Sequence, residues 1–285
     1  MLKILKSEKS IGIIYIILAA FFFSLMTLFI RLAGDLPTIE KAFFRNAFAA
    51  VVAIVILLKS ESGIKVKKES WSSLFLRASF GLAGIITNFW AIDHLVLSDS
   101  NILNKMSPFF AIIMSVFIVK EIPNRFEWLC VIAAFIGAVF VVKPTLGLAS
   151  FPALVGLISG FFAGTAYTFV RKLGIIGERG PVIVAFFSCF STVILAPLMI
   201  INYKPMSLKQ FFILILCGLS ATGGQLSITA AYTHAPAKEI SVFDYTQVIF
   251  AAILGVLFFG ELPDIYSFIG YAIIITTAII KWKRN

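Results

Sequence analysis

Charge is what this chain has least of. Only 13% of its 285 residues are Asp, Glu, Lys or Arg, about half of what a soluble domain uses to cover its surface. Hydrophobic residues make up 60% and the mean hydropathy is +1.01. Most of the outer surface must therefore face lipid, which excludes a soluble globular protein. Cysteine is scarce too: Cys130, Cys189 and Cys217 lie far apart in apolar runs. That spacing excludes a disulfide framework and a zinc site, and makes each a small packing residue. Two histidines are too few for a catalytic metal centre, and no motif joins Ser, His and acidic residues into a nucleophile–base pair. Neither a metal nor any other cofactor is expected, nor an enzyme. Acidic residues number 14 against 24 basic ones, a net charge of +10. In a soluble chain that excess would suggest nucleic acid. In an apolar chain it reads as membrane topology, and no nucleic-acid partner is expected.

What is present is a succession of long apolar runs. Polar or Pro/Gly breaks divide the chain into ten, at 11–31, 39–58, 72–92, 98–119, 125–142, 152–171, 181–201, 208–231, 239–259 and 265–281. Each is near the roughly 20 residues that cross a hydrocarbon core as a helix. Helix is forced, because backbone polar groups in lipid must be satisfied within the segment. A transmembrane barrel needs alternating strands, and these runs do not alternate. The first run follows Lys3, Lys6 and Lys9 but has no small-residue cleavage site, so it is expected as a retained span rather than a signal peptide.

The basic residues give direction. With a cytoplasmic N-terminus, 16 of the 24 Lys and Arg fall on the inner side and 5 on the outer. The other three (Arg45, Arg77 and Lys105) fall inside spans. Such a bias puts both termini in the cytoplasm. Trp71, Trp128 and Trp282 near span ends fit an interfacial aromatic belt.

The chain also repeats itself. Shifted by 140 positions, Ala20-Phe21-Phe22 falls on Gly160-Phe161-Phe162 and Arg31 on Arg171. At the same shift His94 falls on His234, and Lys120-Glu121-Ile122-Pro123 on Gly260-Glu261-Leu262-Pro263. Between Phe43-Phe44 and Phe186-Phe187 the register slips by three residues. Two halves are expected, 1–142 and 151–285, each with five spans. Five is odd, so the second copy enters the membrane inverted relative to the first. Inverted repeats offer two interchangeable conformations, the basis of alternating access in many transporters.

Polar residues inside membrane helices are costly and usually face the bundle or an aqueous cavity. In the fourth run Asn101, Asn104, Lys105 and Pro108 fall at i, i+3, i+4, i+7, one helical stripe. Their repeat mates are Ser241, Asp244, Tyr245 and Val248, with Gln247 close by. Lys105 and Asp244 lie roughly 7 to 11 Å deep from opposite faces. Three readings of Lys105 are open: a head group snorkelling to the surface, a structural pair with Asp244, or a substrate or gating group. The third run carries Gly81, Gly84, Asn88 and Ala91 on one face with Trp90 beside it, and the eighth carries Gln225, Thr229 and Tyr232. Asn88 and Gln225 serve either as helix–helix glue or as ligand contacts. Gly156, Gly160 and Gly164 form a small-residue packing seam. Arg31 and Arg171 sit at span ends, as interfacial anchors or as gating groups. Arg45, with Lys41 one turn away, either draws anions inward or pairs with Glu40.

Five-plus-five spans, Phe43-Phe44-Arg45-Asn46, Ser107-Pro108-Phe109-Phe110 and Gly260-Glu261-Leu262 together resemble the drug/metabolite transporter superfamily, EamA type. The resemblance covers nearly the whole chain. It departs from the family at Ser107, where a small aliphatic residue is usual, and at Lys120-Glu121, where Gly-Glu is usual. It implies a ten-helix basket whose first, third, fourth, sixth, eighth and ninth helices line a cavity.

The expected function is secondary-active transport of a small polar metabolite, amino-acid-like and either zwitterionic or anionic. The alternative is proton-coupled export of lipophilic cations, although residues 11–30 hold no acidic residue. The expected substrate site comprises Lys105, Asn104, Asn101, Asn88, Trp90, Gln225, Tyr232, Asp244, Tyr245 and Gln247, with Arg45, Arg31 and Arg171 gating or attracting anions. The expected partners are a small-molecule substrate and the lipid bilayer, with a homodimer left open. The expected location is a prokaryotic inner membrane.

Overall fold

The structure, a computed structural model, describes residues 2–60, 65–94, 103–142, 151–260 and 262–284. Every regular element among them is helical. In chain order they are α1 (Leu2–Leu32), α2 (Thr38–Lys59), a 3₁₀ turn (Lys68–Ser70), α3 (Trp71–His94), α4 (Ser107–Ile118), α5 (Arg125–Val142) and α6 (Phe151–Ile176). Then come α7 (Gly180–Ile201), α8 (Leu208–His234), the short α9 (Ala237–Ile240), a 3₁₀ stretch (Ser241–Tyr245), α10 (Thr246–Phe259) and α11 (Ile265–Arg284).

Eight stretches among the described residues are long and apolar enough to cross a membrane, against the ten runs in the sequence. The perimeter of the bundle is apolar where a soluble protein would be charged: Phe117 is 74% exposed, Leu257 71% and Ile201 79%. The fourth and fifth runs are not among the eight. α5 is an 18-residue helix with Arg125 and Glu127 in its first turn. The fourth run is described from residue 103: Leu103 and Asn104 are helical, and after a break the α-helix resumes at Ser107 for 12 residues. Lys105 and Met106 form a turn ahead of it. Pro108 sits in the first turn of α4, where its missing N–H costs nothing, whereas a longer helix would need that donor for the Asn104 carbonyl. The expected continuous stripe from Asn101 to Pro108 is therefore interrupted at Lys105, and Asn101 lies outside the described residues.

The repeat mate is interrupted as well. Before α10 the chain runs through the 3₁₀ stretch Ser241–Tyr245, so Asp244 and Tyr245 stand on the tighter winding and not on a regular α-helical face. Packing follows the same shift. α1 packs on α8 and α10, as α6 packs on α3 and α4, while α2 pairs with α7 and α5 with α11. The glycine seam of α6 lets α4 approach closely: a Cβ on Gly164 would lie 2.6 Å from the Ser107 carbonyl oxygen and 2.7 Å from the Ala111 nitrogen.

The ends of α4 and α10 repeat each other in backbone rather than in side chain. Lys120 has φ +59° and Gly260, 140 positions on, has φ +67°. Glycine takes that left-handed conformation freely, whereas a side chain pays about 1–2 kcal/mol for it. Gly260→Ala is thus expected to lower unfolding stability in detergent by about 1 kcal/mol, while Lys120→Gly costs nothing. Denaturant titration of the two variants checks the contrast.

Candidate functional site

A cavity of about 260 Å³ lies inside the bundle, lined from α1, α2, α3, α6, α7 and α8 and from the two interrupted stretches. Its polar side chains are Arg45, Arg77, Asn88, Asn104, Lys105, Tyr167, Gln225, Asp244 and Gln247 with Thr27 and Ser107, and apolar groups such as Phe23, Ile85 and Phe89 complete it.

The interruptions at Lys105 and Asp244 meet across this space. Lys105 Nζ lies 3.0 Å from Asp244 Oδ2 and donates to Gln247 Oε1 at 2.6 Å. The Tyr245 hydroxyl donates to the Lys105 carbonyl at 3.0 Å. Since Tyr245 is the repeat mate of Lys105, related positions of the two halves touch directly. Both partners are largely withdrawn from solvent, with side chains 16% and 10% exposed. The lysine does not snorkel outward, because a carboxylate and an amide oxygen hold it inside. Two further bonds brace the interruptions. Asn104 Nδ2 donates to Ser159 Oγ on α6 at 3.1 Å, and Ser24 Oγ on α1 donates to the Gln247 carbonyl at 3.1 Å.

Arg77 enters from α3 and is 2% exposed. Its guanidinium lies over the Phe187 ring of α7, 3.7 Å from the centroid. Its Nη2 donates to Gln225 Oε1 on α8 at 2.9 Å. Gly81, one turn on, leaves room for this: a Cβ there would come 2.5 Å from Arg77 Nη1 and 2.8 Å from the Phe187 ring. Arg45 enters from α2 and is 7% exposed. Glu40 does not pair with it and instead accepts the Lys204 backbone N–H at 3.2 Å. The buried Nε atoms of both arginines and Oδ1 of Asn88 have no hydrogen-bond partner.

Of the expected site residues, Lys105, Asn104, Asn88, Gln225, Asp244, Gln247 and Arg45 line the cavity together. Asn101 lies outside the described residues, and the remaining five are not in the lining. Trp90 stacks on His94 at 3.9 Å between centroids and meets Phe151 edge-on. Tyr232 is fully buried and stacks on Tyr167 at 5.2 Å, so Tyr167 faces the cavity instead. Tyr245 is buried behind Lys105. Arg31 lies over the Phe259 ring at 3.9 Å. Arg171 pairs with Glu121 at 2.8 Å and donates to the Thr233 carbonyl at 3.0 Å. Arg171 belongs to a belt of polar contacts at one end of the bundle, with the Lys9–Glu239 ion pair at 2.6 Å and a His234–Glu8 hydrogen bond at 2.5 Å. Arg77 and Tyr167 line the cavity without being among the expected site residues, Arg77 being the charged one. It stands four positions before Gly81 on the same stripe as Gly84 and Asn88, and a cation on a stripe of small and amide residues was the signal.

Among the described residues no cluster of His, Cys, Asp and Glu could hold a metal ion. Membrane-crossing helices wrapped around a cavity lined by charged and amide side chains define a membrane transport protein. The chain belongs to the EamA-like transporter family, whose profile matches residues 10–143 and again residues 150–281. It is 32% identical over 282 residues to the pseudopaline exporter of Pseudomonas aeruginosa, covering 98% of this chain and 96% of the exporter. Solute carrier family 35 member G1 of Homo sapiens is 26% identical, covering 96% of this chain and 80% of its own. A riboflavin transporter of Rhizobium johnstonii is 23% identical, covering 98% and 93%. The fold matches a crystal structure with a TM-score of 0.82 at 14% identity, covering 94% of this chain and 95% of that one.

Breaking a buried ion pair by removing one partner leaves an uncompensated charge, at a cost of about 3 kcal/mol, whereas replacing both with apolar groups costs less. Lys105→Met and Asp244→Leu singly should each destabilise by about that amount, and the double variant by less than either. A double-mutant cycle from unfolding in detergent measures this.

Proposed function

We propose that this chain is a secondary-active transporter that carries a small polar metabolite, amino-acid-like and either zwitterionic or anionic, through the cavity by alternating access. The observation that carries this reading is the contact of Lys105 with Asp244 and Gln247 across the cavity. A solute that reaches this point competes for the groups that hold the two halves together. Binding and conformational change then act on the same atoms, which is what coupled transport requires.

The halves are 1–142 and 151–285, inserted in opposite directions, with both termini cytoplasmic. The exchange of helix pairs under the 140-residue shift supports this arrangement, since α1–α8 maps onto α6–α3 and α1–α10 onto α6–α4. The excess of Lys and Arg supports the orientation. In that frame the belt of Arg171–Glu121, Lys9–Glu239 and His234–Glu8 closes the cytoplasmic end. The bilayer is the inner membrane of a prokaryote, in keeping with the bacterial relatives. Export of lipophilic cations is disfavoured by Arg45 and Arg77, which would repel a cation entering the lining.

Reconstituted in proteoliposomes, the protein should accelerate exchange of a solute found by screening metabolites for stabilisation of the purified chain. Lys105→Ala should slow that exchange at least about tenfold, equivalent to about 1.4 kcal/mol, with folding and insertion retained. Unaltered exchange would remove the lysine from the mechanism.

A further inference from the structure

Among the described residues the cavity lining is not electrically balanced: Lys105 is matched by Asp244, the one described acid in it, but Arg45 and Arg77 have no ion-pair partner there. Two guanidiniums, 7% and 2% exposed, are thus held in a membrane bundle with unused Nε donors. Burying such charges without a counter-charge is expensive.

Their placement separates them along the membrane normal. α2 ends at Lys59 and α3 begins at Trp71, so those two ends lie on the same side. Arg77 is six residues into α3, and Arg45 is fourteen residues back from the end of α2. At 1.5 Å per residue their Cα atoms lie about 9 and 21 Å from that side, a difference of about 12 Å. Long side chains bring both guanidiniums into one cavity from different depths. Apolar groups, Ile85, Phe89 and Phe187 among them, share the lining.

From this we infer that the site binds a small organic dianion, a dicarboxylate, with one carboxylate toward Arg45 and the other toward Arg77. The inference rests on the transporter reading of the same cavity and narrows its substrate class. A guanidinium fork suits a carboxylate, and two forks at different depths suit two carboxylates joined by a short carbon chain. One compact anion would meet one fork and leave the other unmatched. The volume of about 260 Å³, below the span of about 300–1,000 Å³ typical of drug-sized ligands, keeps that chain short. The unpartnered Asn88 Oδ1 accepts a hydrogen bond from a hydroxyl or amine on it. A cation, or the ammonium of a zwitterion, finds Asp244 already engaged by Lys105.

The test uses the full chain purified in detergent, with thermal unfolding read against succinate, glutarate, butyrate, inorganic phosphate, glutamine and putrescine. Succinate or glutarate should raise the apparent Tm at concentrations at least about tenfold below those at which butyrate, phosphate or glutamine act, with putrescine inert. Arg45→Gln and Arg77→Gln should each weaken dicarboxylate binding roughly 10- to 100-fold, the worth of one charged hydrogen-bonded contact, and bring its affinity close to that for butyrate. Arg45→Lys keeps the charge without the fork and should retain a preference for the dicarboxylate. That preference is a ratio, which a merely damaged fold does not reverse. An equal response to butyrate, glutamine and glutarate would overturn the inference, as would phosphate acting as well as glutarate, or ratios unmoved by the arginine variants. Glutarate binding without flux of any solute into vesicles would sink the transporter reading and leave the site. Flux of a zwitterion or cation with no dicarboxylate binding would do the reverse.

Discussion

A cation held inside a membrane bundle needs an anion, and among the described residues the lining of this cavity sets three bases, Arg45, Arg77 and Lys105, against one acid, Asp244. Asp244 is shared between Lys105 and the line where the two halves of the chain meet. Much of the architecture around the cavity serves to hold these groups where lipid cannot reach them. Phe187 covers the face of the Arg77 guanidinium and Gln225 takes one of its donors. Gly81 is the absence of a side chain that such packing requires. The energetic penalty of buried charge thereby falls on a place where a bound solute relieves it.

The local backbone is built to the same end. α4 and α10 begin late, after a turn at Lys105–Met106 and a 3₁₀ stretch at Ser241–Tyr245. Polar groups at these interruptions face the cavity or bond across it, as when the Tyr245 hydroxyl reaches the Lys105 carbonyl. Irregular backbone at membrane depth is tolerated where it lines a cavity, and a glycine-rich α6 lets the start of α4 sit close enough to be braced. The apolar exterior, from Phe117 to Leu257, carries the insertion energy, so the interior is free to be polar.

Much of this was legible in the residues. Long apolar runs fixed helix over barrel, because a bilayer allows no third solution. His94 and His234, 140 positions apart, both end helices, α3 and α8. The convergence of Lys105, Asp244 and Gln247 followed from matching stripes in related runs. Less legible were the breaks in those stripes: hydropathy is blind to a 3₁₀ winding, though Pro108 gave notice of the first. Aromatic side chains misled for a physical reason. Trp90 stacks on His94 of its own helix, Tyr232 packs on Tyr167 and Tyr245 reaches the Lys105 carbonyl, so each ring, itself outside the lining, is engaged by a neighbour. Arg77 was visible as a cation inside a span, yet its weight became clear only once no acid among the described residues stood beside it.

Access to one site from both sides of the membrane is the heart of the account, and cysteine labelling reads it most directly. With Cys130, Cys189 and Cys217 replaced by serine or alanine, Ala163→Cys places a single thiol on the cavity wall. A membrane-impermeant maleimide added to right-side-out vesicles, and separately to inside-out vesicles, should reach that thiol in both, more slowly when transported solute is present. Labelling from one side alone, at the same rate with and without solute, would contradict a cavity that opens alternately to the two compartments.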